Sequence, residues 1–227
     1  KEHMNELSKV DGIIIMPLTI DEHTRRIRKL LSDVKYQQTI TEVTDLLAIK
    51  SPLPGKFYFY LAQAQKGLRK RNLANAALRK FINHYPGHSR VQEALFNIGR
   101  NFWNTGYYRD GLKYFETSIG ENPHSNLANQ ARFFIGKMHE EKKRYSQATS
   151  YYEALTKNFR SSEYAERAAW QLGWLNYTKG DFQKSFDYFD ESSQKYPSGL
   201  FIESSMFWAA KSLEKLKRKE LAAQLFN

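Results

Sequence analysis

The 227-residue chain contains no cysteine, which excludes disulfides and thiol chemistry while fitting either the cytosol or the periplasm. Long hydrophobic runs are missing too. The longest, Ile13-Ile14-Ile15-Met16, stops at Pro17, far short of the roughly 20 apolar residues a membrane helix needs. The N-terminus has neither the basic start nor the apolar stretch of a signal peptide. No Gly-rich phosphate loop and no HExxH is present, and the serines, histidines and aspartates form no recognisable catalytic signature. His84 and His88 flank Pro86, so they cannot share a helical face as a metal pair. His139-Glu140-Glu141 reads as a charged surface at a helix end. The expectation is a chain with no catalytic residues, no metal site and no cofactor.

Acidic residues are scarce in the first part of the chain. The net charge of +11 arises mostly before position 90, where Lys and Arg outnumber Asp and Glu two to one; thereafter the signs nearly balance. The cluster Lys66, Arg69, Lys70, Arg71, Arg79 and Lys80 either faces an anionic partner or is the solvated outer face of helices, the simpler reading. Nucleic acid is the weakest of the partners considered.

What is present is a repeat of 37 residues. Gly99, Gly136, Gly173 and Ala210 share one phase, with Ala62 one period upstream. Ala74, Gly111, Ala148, Ser185 and Ala222 share a second, all small; Leu78, Phe115, Tyr152, Phe189 and Phe226 follow each by four residues, all bulky. Only six prolines occur, and Pro86, Pro123 and Pro197 share a third phase in which Arg160 replaces the missing member. A fixed period of this size means stacked supersecondary units rather than one closed core. Each unit reads as two antiparallel helices. In Tyr164–Lys179 the apolar residues Ala165, Ala168, Ala169, Leu172 and Leu175 follow helical spacing, Gly180-Asp181 interrupts it, and Phe182–Gln194 resumes it before Tyr196-Pro197. Glycine inside a helix costs about 1 kcal/mol against alanine. Its recurrence at 99, 136 and 173 therefore implies close backbone contact.

This register resembles tetratricopeptide repeats, slightly lengthened, over about residues 56–227, with one degenerate pair over 21–52. The resemblance implies an all-α, right-handed superhelical solenoid of antiparallel helix pairs. The expected organisation is a single solenoid over 21–227 of about five to six repeats, the last truncated. Residues 1–20 form an N-terminal extension, either docked on the first helices through Ile13–Leu18 or disordered. Because the chain stops one residue after Phe226, a longer native polypeptide is expected.

Phe96, Phe133, Trp170 and Phe207 share one further phase, with Phe59 upstream. Four residues on stand Arg100, Lys137, Trp174 and Lys211, and three beyond those Trp103, Glu140, Tyr177 and Glu214. These positions form one stripe of the first helices, and in tetratricopeptide repeats that stripe lines the concave surface. The first phase is read mainly as packing between neighbouring first helices. The candidate ligand-binding set is Phe96, Arg100, Trp103, Phe133, Lys137, Trp170, Trp174, Tyr177, Phe207 and Lys211. Aromatic faces beside cationic donors suit an extended peptide, or a glycan carrying carboxylates.

The last two units carry Tyr164-Ala165-Glu166-Arg167-Ala168-Ala169-Trp170-Gln171-Leu172-Gly173-Trp174 and Met206-Phe207-Trp208-Ala209-Ala210-Lys211-Ser212-Leu213-Glu214. These runs resemble the helical superstructure of soluble lytic murein transglycosylases. That resemblance implies a non-catalytic scaffold of a periplasmic peptidoglycan enzyme, whose partner is a glycan strand. Nothing corresponds to that family's catalytic domain. Its Glu-Ser hallmark occurs as Glu203-Ser204, but the residues that follow depart from the motif, and an acid at a helix start stabilises the helix dipole. The alternative is a tetratricopeptide-type adaptor for protein–protein interaction in the bacterial envelope.

Overall fold

A computed structural model describes the backbone of residues 8–10, 13–15, 18–49 and 52–226, and the side chains of 18–49 and 52–225. At the N-terminal end, β1 (Ser8–Val10) pairs antiparallel with β2 (Ile13–Ile15), Lys9 opposite Ile14. The side chains of Ile13–Ile15 and all of residues 16–17 lie outside the described residues, and so does their expected docking.

Twelve helices follow among the described residues. They are α1 (Ile20–Ser32), α2 (Tyr36–Ile49), α3 (Gly55–Gly67), α4 (Arg71–His84), α5 (Val91–Asn104), α6 (Tyr108–Glu121), α7 (Asn126–Glu141), α8 (Tyr145–Asn158), α9 (Glu163–Lys179), α10 (Phe182–Lys195), α11 (Ile202–Lys215) and α12 (Lys219–Phe226). They form an all-α solenoid of paired helices, with the N-terminal β-hairpin added to it. The chain divides into two compact units, Lys1–His88 with α1–α4 and Ser89–Asn227 with α5–α12.

One backbone device makes every turn within a pair. Val34, Arg69, Gly106, Lys143, Gly180 and Lys217 have φ between 57° and 81°, the left-handed region. From Arg69 onward they recur every 37 residues. The next N–H then reaches back five residues, as from Lys70 to the Gln65 carbonyl and from Asp181 to the Asn176 carbonyl, at 2.8 and 3.0 Å. This closure satisfies carbonyls left open at the helix end and reverses the chain. Only two of the six positions are glycine, so four turns carry a residue that the left-handed conformation disfavours.

Between pairs, a residue with extended φ breaks the helix, Tyr85 (φ −135°), Asn122 (φ −152°), Phe159 (φ −134°) and Tyr196 (φ −125°). Three of these precede proline, which disfavours helix there. Arg160 replaces that proline without changing the break. Ser125 and Ser162 then cap α7 and α9, accepting from Ala128 and Tyr164 N–H at 3.0 and 3.2 Å.

Within the second unit, the small and bulky phases meet as their spacing implies. A Cβ at Gly173 would lie 2.6 Å from Phe189 Cδ1, and one at Gly99 would lie 3.0 Å from Phe115 Cδ1 and 3.2 Å from the Gly111 carbonyl. The Tyr152 ring lies equally tight against Gly136. Phe115, Tyr152 and Phe189 are fully buried. Each stabilises the fold by about 1.5–3 kcal/mol through apolar burial. In the first unit, the Tyr36 ring is packed against Gly67, and the Tyr85 hydroxyl donates to the Leu53 carbonyl at 2.6 Å.

Candidate binding face

All ten candidate residues fall in the second unit, on α5, α7, α9 and α11, which contact one another in that order. The helical period places each helix's three candidate phases on one stripe, but their neighbours sort them into different roles.

The first phase changes character along the array. Phe96 is 2 % exposed and packs between Phe115 and Phe134, ring centroids 5.4 and 5.7 Å away. It is a core residue, and its place in the candidate set is corrected accordingly. Phe133 is half-buried against Tyr152 and Tyr164, at 5.7 and 5.9 Å. Trp170 is half-buried against Phe189 and Phe201, and its indole N–H is buried with no acceptor among the described residues. Phe207 is 44 % exposed.

In the second phase the lysines are engaged. Lys137 pairs with Glu140 at 3.3 Å, and Lys211 pairs with Glu214 at 2.8 Å while lying 5.7 Å above the Phe207 ring. Arg100, half-buried, forms no hydrogen bond or ion pair among the described residues. The pairs run mixed, charged, aromatic and charged, with Arg100 and Trp103 on α5, Lys137 and Glu140 on α7, Trp174 and Tyr177 on α9, Lys211 and Glu214 on α11.

The aromatic members converge on α9. Trp170, Trp174 and Tyr177 stack nearly parallel, with centroids 5.9 and 6.0 Å apart. Trp208 on α11 meets Trp174 and Tyr177 edge-on, both at 4.9 Å. Trp208 lies outside the ten candidate residues, although its signal is in the repeat. Two periods upstream, Phe134 makes the equivalent contact with Trp103 at 5.2 Å. One period upstream, Gln171 donates to the Glu140 carboxylate at 2.9 and 3.0 Å. Thus Trp103–Phe134, Glu140–Gln171 and Tyr177–Trp208 are the same contact between successive first helices, twice aromatic and once polar.

His139-Glu140-Glu141 does end α7, but only Glu141 is exposed there, with His139 buried and Glu140 half-buried. Glu140 also accepts from the Tyr152 hydroxyl at 2.9 Å. Burial, with the Glu140 carboxylate beside it, pushes the Tyr152 phenol well above its ordinary range. Glu141 accepts from the Trp103 indole N–H at 2.8 Å. His139 is 7 % exposed, with Nδ1 2.9 Å from the Tyr108 hydroxyl and its ring stacked on Tyr151. Burial, aided by Arg144, holds its pKa below the ordinary value. Periodicity alone does not show that neighbouring helices engage His139 and Glu140. Glu203 lies exposed in the first turn of α11.

Tetratricopeptide-repeat family models match residues 96–163 and 144–199, and another matches residues 57–88. The chain is a tetratricopeptide-repeat α-solenoid. Solved structures agree on the fold. The C-terminal part of a TPR repeat-containing protein from Cytophaga hutchinsonii is 15% identical, with 89% of this chain and 76% of that one covered and a TM-score of 0.67. A tetratricopeptide repeat protein from Parabacteroides merdae is also 15% identical, covers 90% and 76%, and gives 0.64. PilF from Pseudomonas aeruginosa is 17% identical, covers 90% and 87%, and gives 0.60. No curated protein matches the chain in sequence. Neither the repeat models nor these structures support the resemblance to lytic transglycosylases. Tetratricopeptide repeats are generally non-catalytic scaffolds for protein–protein interaction. No helix among the described residues is long and apolar enough to cross a membrane.

Proposed function

We propose that the second unit holds an extended segment of a partner protein along the shared face of α5, α7, α9 and α11. The observation that carries this is the cluster of Trp170, Trp174, Tyr177 and Trp208, all half-buried rather than sealed in the core. Large rigid rings supply contact area at low entropic cost. Arg100 supplies a guanidinium that no acid among the described residues neutralises, suited to a carboxylate or carbonyl of the bound segment. Lys137 and Lys211 contribute less, because each must leave its glutamate to meet a ligand.

Peptides selected from a displayed library against the whole chain, followed by calorimetric titration, test the reading. Trp174→Ala and Arg100→Ala are each expected to weaken the selected peptides, Trp174→Ala by about 2 kcal/mol as for a central aromatic anchor. Unchanged affinity in both variants rejects the face. The expected cell-wall role, as a periplasmic scaffold for glycan strands, is the competing reading, since indole faces also stack on sugar rings. Isolated peptidoglycan strands belong in the same titration. Strand binding that Trp174→Ala removes, with no peptide selected, restores that reading.

A further inference from the structure

We infer that the α3–α4 hairpin of the first unit is a docking surface for an acidic segment of a partner protein, separate from the aromatic face of the second unit. No aspartate or glutamate occurs between Asp45 and Glu93, yet this stretch carries Lys66, Arg69, Lys70, Arg71, Arg79 and Lys80. Arg69, Lys70, Arg79 and Lys80 are exposed. Of the unit's acids, Glu42 pairs with His23 and Arg26, and Asp33 with Lys35. Lys70, Arg71 and Lys80 form no ion pair among the described residues.

Three consecutive residues carry local costs, of which the first two recur at Lys143 and Arg144 while the third is particular to this hairpin. Arg69 sits in the left-handed region at φ 60°. Lys70 occupies the N-cap of α4 without a side-chain hydrogen bond, and the first turn of α4 has no acid. Cations there oppose the positive end of the helix dipole. Arg71 stands where later repeats place Tyr108, Tyr145 and Phe182, and its Nε is buried without a partner. The unpartnered Arg71, where later repeats place a ring, is the departure that marks this hairpin as a functional surface.

The surroundings favour a peptide over other polyanions. Phe57, Tyr58, Phe59 and Phe81 are buried, which leaves half-buried Tyr60 and exposed His84 as the rings on α3 and α4 that a base could reach, short of a stacking platform. Leu73 is the one large exposed apolar side chain on α3 or α4 among the described residues, too little for membrane insertion. Arg71 and Arg79 are eight residues apart on one helix, about 12 Å along the axis at 1.5 Å per residue and within about 80° of each other around it. An extended acidic strand covers that distance in about four residues.

The test is fluorescence anisotropy of a labelled ten-residue oligoglutamate with the full chain. Lys70→Glu/Arg71→Glu is expected to weaken binding at least about tenfold. Its thermal midpoint should stay the same or rise, because acids in the first turn of α4 suit the dipole. Lys113→Glu/Lys215→Glu in the second unit makes the same change in net charge at exposed positions, and it should leave affinity within about threefold. Equal loss in both double variants overturns the surface, because total charge alone would then explain binding. So does failure of the wild type to bind at physiological salt. Displacement of the peptide by an oligonucleotide at equal charge concentration, or cosedimentation with phosphatidylserine vesicles, overturns the protein partner in favour of nucleic acid or membrane.

Discussion

Gly173 on α9 and Phe189 on α10 are packed so that a single added carbon on the glycine would lie 2.6 Å from the ring. The same pairing recurs at Gly99 with Phe115 and at Gly136 with Tyr152. In the first unit the corresponding residues are Ala62 and Leu78, both buried. Among these four pairs a ring occurs where the partner lacks a side chain, and a smaller leucine where it has one.

Gly173→Ala therefore tests the packing. Helix propensity alone would stabilise the variant by about 1 kcal/mol, but overpacking against a buried ring costs about 1–3 kcal/mol. A net loss is expected in chemical denaturation. Adding Phe189→Leu should make the alanine less harmful than it is in the parent. If Gly173→Ala is stabilising by itself, the tight packing is not what retains glycine.

Val34 places a β-branched side chain in the left-handed region at φ 59°, and it is exposed. Relief of strain worth about 1–2 kcal/mol outweighs the greater unfolded freedom of glycine. Val34→Gly should raise stability by up to about 1 kcal/mol. The reverse change, Gly180→Val, should lower it. Paired urea titrations read both.

The His139 pKa is lowered from 6.5 by burial and Arg144. The unfolded chain then binds a proton that the folded chain refuses, so stability falls as pH drops from about 6.5 toward the folded pKa. Above that window the penalty is absent. Melting temperatures across pH 5–8 should show this decline in the parent and a shallower one in His139→Gln. Parallel curves would assign the acid sensitivity to other groups.

Phe96 and Phe207 share a phase and a residue type but differ in burial, 2 % against 44 %. Phe96→Ala should cost about 3–5 kcal/mol. Phe207→Ala should cost less than about 1 kcal/mol, as expected at a surface. Equal losses would mean that the phase has one role throughout.

Much of the fold is legible in the 37-residue phases, because each phase reports a local requirement. Helical spacing, the break at Pro86 or Pro197 and the small residue opposite a ring are all visible along one chain. The candidate face was legible only in part. Trp174 and Tyr177 stand out as aromatic residues on a helical stripe, but Trp208 lies one position off that stripe. Its role emerges when Phe134 and Gln171 are seen to make the equivalent contact.

By itself the sequence determined the repeat length, the paired helices and the positions of the turns, since backbone sterics and helical periodicity act within tens of residues. It also determined the acid-free basic stretch between Asp45 and Glu93. Only the tertiary structure decided that Phe96 is core while Phe207 is exposed, and that His139 is buried. It likewise decided that Glu140 is bound to Tyr152 and Gln171, whereas its pair with Lys137 is a contact within α7. Burial and pairing depend on what the adjacent helix brings to the contact, and identical phases in successive repeats meet different neighbours.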